Sequence, residues 1–176
     1  MPKSVKLNSS STLHDLDDSE QRSFGMRPAP VLIELPSGFQ IYKWAGTSYK
    51  DAHGHRVRST IFDRNGFASQ YWAPWATMPQ YQVPGFSDLR KRYANMNGSV
   101  GRPQEFARVR FAVTQEWSEM NSLVKAELRT SVWALLGVCA PQPVTEQSDD
   151  PRKVLFIGGN YQLLIPGLRA DDIFQL

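Results

Sequence analysis

The sequence predicts an α+β fold that is mostly antiparallel sheet with two or three packed helices. Short runs that alternate apolar and polar residues recur along the 176-residue chain, and such alternation is typical of half-buried strands. Glycine and proline turn signals separate these runs at short intervals. Two segments instead carry apolar residues at helical spacing, which indicates amphipathic helices packed on a sheet.

Composition and length indicate a single folded domain behind a polar lead. Hydrophobic residues make up 41% of the chain and charged residues 21%, a globular balance. We place the domain at residues 28–176 and expect residues 1–27 to be a flexible lead, because the apolar residues there are scattered singly. A short helical turn between Leu13 and Gln21, dependent on a partner, is the alternative for this lead.

Several classes of protein are not indicated. No run approaches the roughly 20 apolar residues of a membrane span, and the first residues lack the apolar section of a secretory signal. We therefore expect no membrane partner and a cytoplasmic location, compatible with export by a secretion machine that reads other signals. The formal charge of +3 without a long basic run does not indicate nucleic-acid binding, but it suits an anionic dinucleotide or an acidic protein.

The single cysteine and the histidines suggest no further chemistry. Cys139 lies in an apolar run and is expected to be a small buried side chain rather than a nucleophile. His53 and His55 share a polar loop, but no Cys, Asp or Glu stands near them at the spacing of a metal finger. We expect no metal site.

Periodicity and turn signals place the elements. The clearest alternation is that of residues 106–113, and a tight turn at Gly158-Gly159 is expected to join the two strands around it. Ser87 is the expected N-cap of the first main helix. Strands are predicted at 31–35, 38–44, 106–113, 131–138, 153–157 and 160–165, helices at 87–96 and 116–129, and either a last strand or a tail at 172–176.

Residues 67–84 form an unusual segment in which three prolines are interleaved with large aromatic residues. The prolines exclude a continuous helix or a central strand. Tyrosine and tryptophan bury a large area while leaving one polar group to satisfy. The segment therefore either caps the core or lines a groove, and the sequence leaves both interpretations open.

Residues 159–168 resemble the late strand of the ADP-ribosyltransferase fold. In that family a Glu-x-Glu or Gln-x-Glu motif is followed by hydrophobic residues and a Pro-Gly turn, and here Asn160 and Gln162 hold the motif positions. The resemblance implies a split β-sandwich, NAD as the cofactor that is consumed as substrate, and catalytic positions at Asn160 and Gln162, which would meet the ribose.

Two further stretches resemble the same family in consistent order. Tyr42 and Lys43 fall in its first strand, where an Arg or His contacts the dinucleotide, so Lys43 is implied to meet a phosphate. Tyr71 and Tyr81 resemble the paired tyrosines that sandwich nicotinamide in the diphtheria-toxin-like branch, and Trp72 is implied to complete that wall.

A third stretch, residues 59–66, resembles a Thr-Ser-x-Phe-Asp-Arg-x-Gly segment of small cytotoxic effectors of bacterial type VI secretion. It implies that Ser59 lies at the dinucleotide. The resemblance thus implies a bacterial toxin or effector that modifies a macromolecular target or consumes NAD, with a protein target or a cognate immunity protein as partner.

Gln162 lacks the charge that the family's carboxylate supplies to the oxocarbenium-like transition state, and such a loss typically costs several kcal/mol. Asp63, Glu116 and Glu119 are the other candidate carboxylates. The chain is therefore interpreted either as an ADP-ribosyltransferase or NAD glycohydrolase, or as a non-enzymatic immunity or adaptor module that docks through its aromatic, proline-rich loop.

Overall fold

The structure is a computed structural model that describes residues 5–45, 49–50, 56–57, 61–97, 103–113, 120, 122–145 and 154–176. Within these residues the helices are α1 (Asp18–Arg22), α2 (Phe86–Asn97) and α3 (Pro103–Phe111), with 3-10 turns at Leu13–Asp15 and Pro79–Tyr81. The strands are β1 (Val31–Leu35), β2 (Gln40–Ala45), β3 (Tyr49–Lys50), β4 (Arg56–Val57), β5 (Tyr71–Pro74), β6 (Ser122–Leu128), β7 (Val132–Val138), β8 (Gln142–Pro143), β9 (Leu155–Phe156), β10 (Tyr161–Leu164) and β11 (Ile173–Gln175).

Seven strands form one sheet in the order β1-β7-β10-β5-β2-β6-β11, and β3–β4 and β8–β9 form separate two-stranded pairs. Every one of these pairings is antiparallel. The α+β class with a mostly antiparallel sheet and three helices is confirmed.

β5 divides this sheet into two halves. Its first residues, Tyr71 and Trp72, pair with β10, whereas Ala73 and Pro74 pair with β2. Pro74 has no N–H to donate to a ladder, which fits its place at the last residue of the strand. The short strand therefore brings β10 and β2 close to each other without pairing them.

The main core fills the space beside the sheet. It is built from branched aliphatic and small side chains of the central strands together with Met78 and Val83 of the proline-rich segment, all at most 8% exposed. On α2 and α3, Phe86 and Phe111 pack edge-on against Tyr42, with ring centroids 5.0 and 6.4 Å away. The helices thus rest on β2.

Several predicted elements are confirmed. The strands expected at 31–35, 38–44, 131–138 and 160–165 correspond to β1, β2, β7 and β10, the last strand at 172–176 is present as β11, and the helix expected at 87–96 is α2. α2 begins at Phe86, so Ser87 is not its N-cap. Thr77 instead accepts a hydrogen bond from the Gly85 N–H at 3.2 Å and donates one to Asp88 in the first turn.

The strand predicted at residues 106–113 is wrong, because this stretch belongs to α3. Ala107 is 1% exposed, and Phe111, four residues later, contacts Tyr42. An apolar pair at that spacing lies on one helical face, and Pro103 at the first helical position is a common helix start. Alternation over eight residues was thus compatible with either period.

The helix predicted at residues 116–129 is also wrong where the structure describes it, because β6 occupies its second half. Val124, Ala126 and Leu128 are buried and alternate with residues that are half-buried. That is the period of a strand, and pairing on both sides with β2 and β11 outweighs the helical spacing of the larger apolar residues.

The hairpin predicted around Gly158-Gly159 is wrong as well. β9 pairs with β8, while β10 pairs with β7 and β5. The two glycines have φ values of 66° and 95° and their N–H groups donate to Val109 and Cys139 carbonyl oxygens. The turn therefore connects two different sheets and packs against α3.

The N-terminal lead is packed on the domain rather than flexible in residues 5–27. Leu7, Leu16 and Phe24 are buried and form one cluster with Leu135 and Leu164 of the sheet. These side chains are scattered in sequence but meet on one surface, which the composition of the segment does not show. The helical alternative is realised in α1, and no described helix is long and apolar enough to cross a membrane.

Candidate functional site

A cavity of about 920 Å³ lies beside β5, where the two halves of the sheet meet. Its walls come from β2, β5, β6 and β10, from the end of α3, from α1 and from residues 140–142. Such a volume is in the range of small-molecule sites in proteins. Of the predicted site residues, it is lined by Tyr42, Lys43, Tyr71, Trp72 and Gln162.

Aromatic side chains form much of the cavity wall. Tyr42 and Trp72 are each 2% exposed, and the Trp72 indole Nε1 donates to the Ser69 carbonyl oxygen at 2.6 Å. Burial, with the negative charges that Tyr93 and Cys139 would carry on ionising, raises the pKa of Tyr42, so its phenol is neutral at physiological pH. With half-buried Trp44 they provide flat surfaces for an aromatic ligand.

Lys43 is the cation on the sheet side of this wall. Its Nζ donates a hydrogen bond to the Ser69 hydroxyl at 2.5 Å and lies 5.8 Å from the centroid of the Trp72 ring. Burial lowers the pKa of Lys43 from 10.5 to about 8, because removing the ammonium from water disfavours its charged form. No carboxylate among the described residues pairs with it.

In addition to Lys43, the described lining contains the charged guanidinium of Arg22. The remaining polar side chains outside the aromatic residues are neutral: the hydroxyls of Ser19, Ser23 and Ser69 and the amides of Gln142 and Gln162. No aspartate or glutamate lines the cavity in the part of the chain that the structure describes. The described lining therefore offers hydrogen bonds and positive charge to a ligand, but no carboxylate.

Gln162 lines the cavity but its amide is already engaged. Its Nε2 donates to the carbonyl oxygen of Ser23 at 3.0 Å and to the hydroxyl of the same residue at 3.1 Å. The side chain is 8% exposed. This geometry ties β10 to the end of α1, which is a positioning role that the sequence did not indicate.

Asn160 does not line the cavity. It is 6% exposed, and its Nδ2 donates to the Tyr93 hydroxyl on α2 at 2.6 Å. Burial chiefly raises the pKa of Tyr93, while this hydrogen bond and the Arg110 charge oppose the shift. Asn160 therefore holds the start of β10 against the helices, and the structure does not bring it together with Gln162 in one pocket.

The two tyrosines that resemble a nicotinamide sandwich lie apart. Tyr71 lines the cavity, and burial chiefly raises the pKa of its phenol, while the side chains of Ser23 and Gln70 oppose this shift. Tyr81 lies in a 3-10 turn, is 38% exposed and is not part of the lining. Ser59 lies outside the described residues.

The proline-rich segment, residues 67–84, both packs into the core and lines the cavity, the two roles that the sequence left open. Trp72 and Tyr71 line the cavity, whereas Met78 and Val83 are in the core and Trp75 stacks on Phe86 with centroids 4.7 Å apart. Most of its aromatic surface is therefore used within the molecule.

Sequence reasoning missed the polar contributors Arg22, Ser23 and Ser69. Arg22 and Ser23 belong to a segment interpreted as a flexible lead, so no local pattern marked them. Ser69 precedes β5 in a turn, and only its contact with Lys43 distinguishes it from an ordinary loop serine. The described residues contain no cluster of His, Cys, Asp or Glu able to hold a metal ion.

Comparison with protein-family models, curated proteins and solved structures finds no match to this chain. The ADP-ribosyltransferase likeness therefore remains a prediction from the sequence.

Proposed function

We propose that the chain binds a nicotinamide dinucleotide in the cavity beside β5, as an ADP-ribosyltransferase-like protein of the bacterial toxin or effector class. The observation that carries this proposal is the ammonium group of Lys43, which faces the cavity and has no carboxylate partner among the described residues.

An anion is the chemistry that suits Lys43. A buried charge is costly unless it is paired, and the lowered pKa of Lys43 measures that cost here. A phosphate oxygen would accept a charge-assisted hydrogen bond from Nζ and return the ammonium to a balanced environment. Binding energy would therefore be gained at the group that the unliganded protein leaves uncompensated.

The aromatic wall suits the other end of such a ligand. Nicotinamide and adenine are flat rings that stack on aromatic side chains, and Trp44, Tyr71 and Trp72 provide such faces in the same cavity as Lys43. A ligand that combines a flat heterocycle with a phosphate matches both features, and a dinucleotide is the member of that class that the sequence resemblance implies.

Cleavage of the glycosidic bond requires a further group. A carboxylate that stabilises the positive charge of the transition state is worth several kcal/mol, and the described lining contains none. Asp63 is exposed and accepts hydrogen bonds from the N–H groups of Asn65 and Phe67, so it shapes its own turn. The proposal therefore assigns the charge to Glu116 or Glu119, the two remaining candidates from the sequence, which lie outside the described residues.

Titration of NAD into the purified protein, with nicotinamide release measured in the same samples, tests this proposal. We expect saturable binding, and nicotinamide release that falls at least tenfold in Glu116→Gln or in Glu119→Gln. Binding without release in the wild type would leave a dinucleotide-binding protein without the transfer step. No binding would overturn the proposal.

Docking of a protein partner is the second candidate function, favoured by a different surface from the one the sequence suggested. Val154, Leu155 and Ile157 are 74%, 50% and 61% exposed around β9, and large exposed apolar side chains mark interaction surfaces. A stoichiometric complex with a co-expressed protein that is lost in Leu155→Asp, while NAD binding is unchanged, would support this function.

A further inference from the structure

One wall of the cavity is formed by the N-terminal segment, residues 5–25, which we call the N-terminal wall. Ser19 and Arg22 of α1 and Ser23 after it line the cavity opposite residues of the sheet. The cavity is thus closed by a piece of chain far in sequence from β2, β5 and β10.

The N-terminal wall is held by few backbone contacts. The Gly25 N–H donates to the Val138 carbonyl oxygen at 2.7 Å, and the Ser23 carbonyl oxygen accepts from the Ala140 N–H at 2.9 Å. The Gln162 side chain adds two hydrogen bonds to Ser23, one to its carbonyl oxygen and one to its hydroxyl. A local attachment of this kind can open at a lower free energy than the whole domain needs to unfold.

Phe24 anchors the wall in a recess that only glycine permits. The residue is 5% exposed, and a Cβ added at Gly137 would lie 2.5 Å from Phe24 Cδ1 and 2.9 Å from its Cε1. A methyl group at position 137 would therefore displace the ring while leaving the sheet residues of the cavity in place.

Arg22 is the second cation of the cavity. It is exposed, it lies in the lining, and its guanidinium has no hydrogen-bond or ion-pair partner among the described residues. By contrast, Lys6 of the same segment pairs with Asp172 at 2.5 Å. Guanidinium groups match the geometry of phosphate oxygens, so Arg22 can donate hydrogen bonds to an anionic group of a ligand in the cavity.

We propose that the ligand of this cavity carries a diphosphate, that Lys43 on the sheet and Arg22 on the N-terminal wall each bind part of its charge, and that its binding fastens the wall to the sheet. This inference rests on the proposed function for the location of the site. It adds that the ligand carries a diphosphate and that the N-terminal wall moves when the ligand binds. Two cations from separate segments, with no acidic residue in the described lining, favour a ligand whose negative charge is divided between two phosphates.

The coupling has a thermodynamic consequence. A ligand that contacts both the wall and the sheet binds more tightly to the closed form, in which the wall is attached to the sheet, so it raises the population of that form. Because this coupling is reciprocal, a substitution that lowers the closed population also lowers the affinity for the ligand. Variants that act only on the wall should therefore change affinity without touching Lys43.

The test combines titration with hydrogen exchange of residues 17–25, using NAD, nicotinamide mononucleotide and inorganic pyrophosphate as probes. We expect NAD to slow exchange of these amides at least fivefold in the wild type. Arg22→Met should weaken NAD and pyrophosphate about tenfold and nicotinamide mononucleotide less than twofold. Arg27→Met, which changes an exposed arginine outside the lining, is the matched control and should bind as the wild type does.

Gly137→Ala tests the coupling between the wall and ligand binding without changing either cation. It should speed exchange of residues 17–25 and weaken NAD at least fivefold, with Lys43 unchanged. Equal NAD binding by the wild type, Arg22→Met and Gly137→Ala, with unaltered exchange, would overturn the inference and leave the proposed function intact. If the wild type fails to bind NAD but binds pyrophosphate in a manner that needs Arg22, the proposed function is wrong and the diphosphate site stands.

Discussion

At the scale of single residues, Lys43 combines a cost to the fold with a proposed role in binding. Its ammonium is shielded from water, which lowers its pKa to about 8, and among the described residues it donates only to the Ser69 hydroxyl. A neutral hydroxyl compensates a charge less well than a carboxylate does. The same uncompensated charge is what an anionic ligand would meet.

Replacing this lysine by an apolar side chain of similar length should stabilise the unliganded protein. We expect Lys43→Met to raise the free energy of unfolding at pH 7 by on the order of 1–2 kcal/mol, because the cost of burying the charge disappears. Urea unfolding measures the change. Lys125→Met, which removes an ammonium 4.3 Å from the Trp75 ring centroid outside the cavity lining, should be neutral or destabilising.

The pH dependence of stability follows from the direction of the shift. Because the pKa of Lys43 is about 8 in the folded protein and 10.5 ordinarily, the unfolded chain binds more protons between these values. The contribution of Lys43 to stability therefore rises with pH in that window. The difference in unfolding free energy between Lys43→Met and the wild type should shrink from pH 8 to pH 10; a constant difference would show that Lys43 is not the titrating group.

Anion binding should change in the opposite direction over the same range. As the pH rises through about 8, Lys43 loses its charge and the attraction for phosphate is lost. We expect the NAD affinity to fall at least threefold between pH 7 and pH 9, measured by titration. Lys43→Met should show a flat profile.

Introducing at position 162 the carboxylate that the ADP-ribosyltransferase motif carries should not increase activity. In Gln162→Glu a carboxylate oxygen would face the Ser23 carbonyl oxygen where Nε2 now donates, and a buried acceptor would lose its donor. We expect a loss of about 1–3 kcal/mol in unfolding free energy and no gain in nicotinamide release. Gln142→Glu, at a half-buried position of the same lining, should cost less.

At the scale of elements, the sequence predicts strands well where apolar runs are bounded by turn signals, as in β1 and β7. It fails for α3 and β6, where two periodicities coexist in one stretch. In α3 the apolar pair Ala107 and Phe111 obeys the helical period within an alternating sequence. In β6, pairing with two neighbouring strands decides the period, and long-range pairing leaves no local signal.

The junction before α2 should be intolerant of any side chain at Gly85. An added Cβ would lie 2.5 Å from the Ala76 carbonyl carbon and the Thr77 nitrogen, closer than backbone atoms can approach. We expect Gly85→Ala to destabilise the protein by about 2–3 kcal/mol, measured by thermal unfolding. At Gly25 the nearest atom to an added Cβ is 3.6 Å away, so Gly25→Ala should have little effect.

At the scale of the whole molecule, five of the predicted site residues line one cavity although they are spread from position 42 to position 162. The sequence resemblance names all five as catalytic or cofactor-binding positions, but only the fold brings them into one cavity. The sequence does not show that the N-terminal wall completes the cavity, because the scattered apolar anchors Leu7, Leu16 and Phe24 are recognisable only once folded. Nor does it show that Tyr81 and Asn160 lie outside the lining.

The most direct test of the central claim is isothermal titration of NAD into the wild type, Lys43→Met and Lys125→Met at pH 7. The account predicts saturable binding to the wild type, at least tenfold weaker binding to Lys43→Met, and wild-type affinity in Lys125→Met. Absence of binding to the wild type, or equal affinity in Lys43→Met, would contradict it.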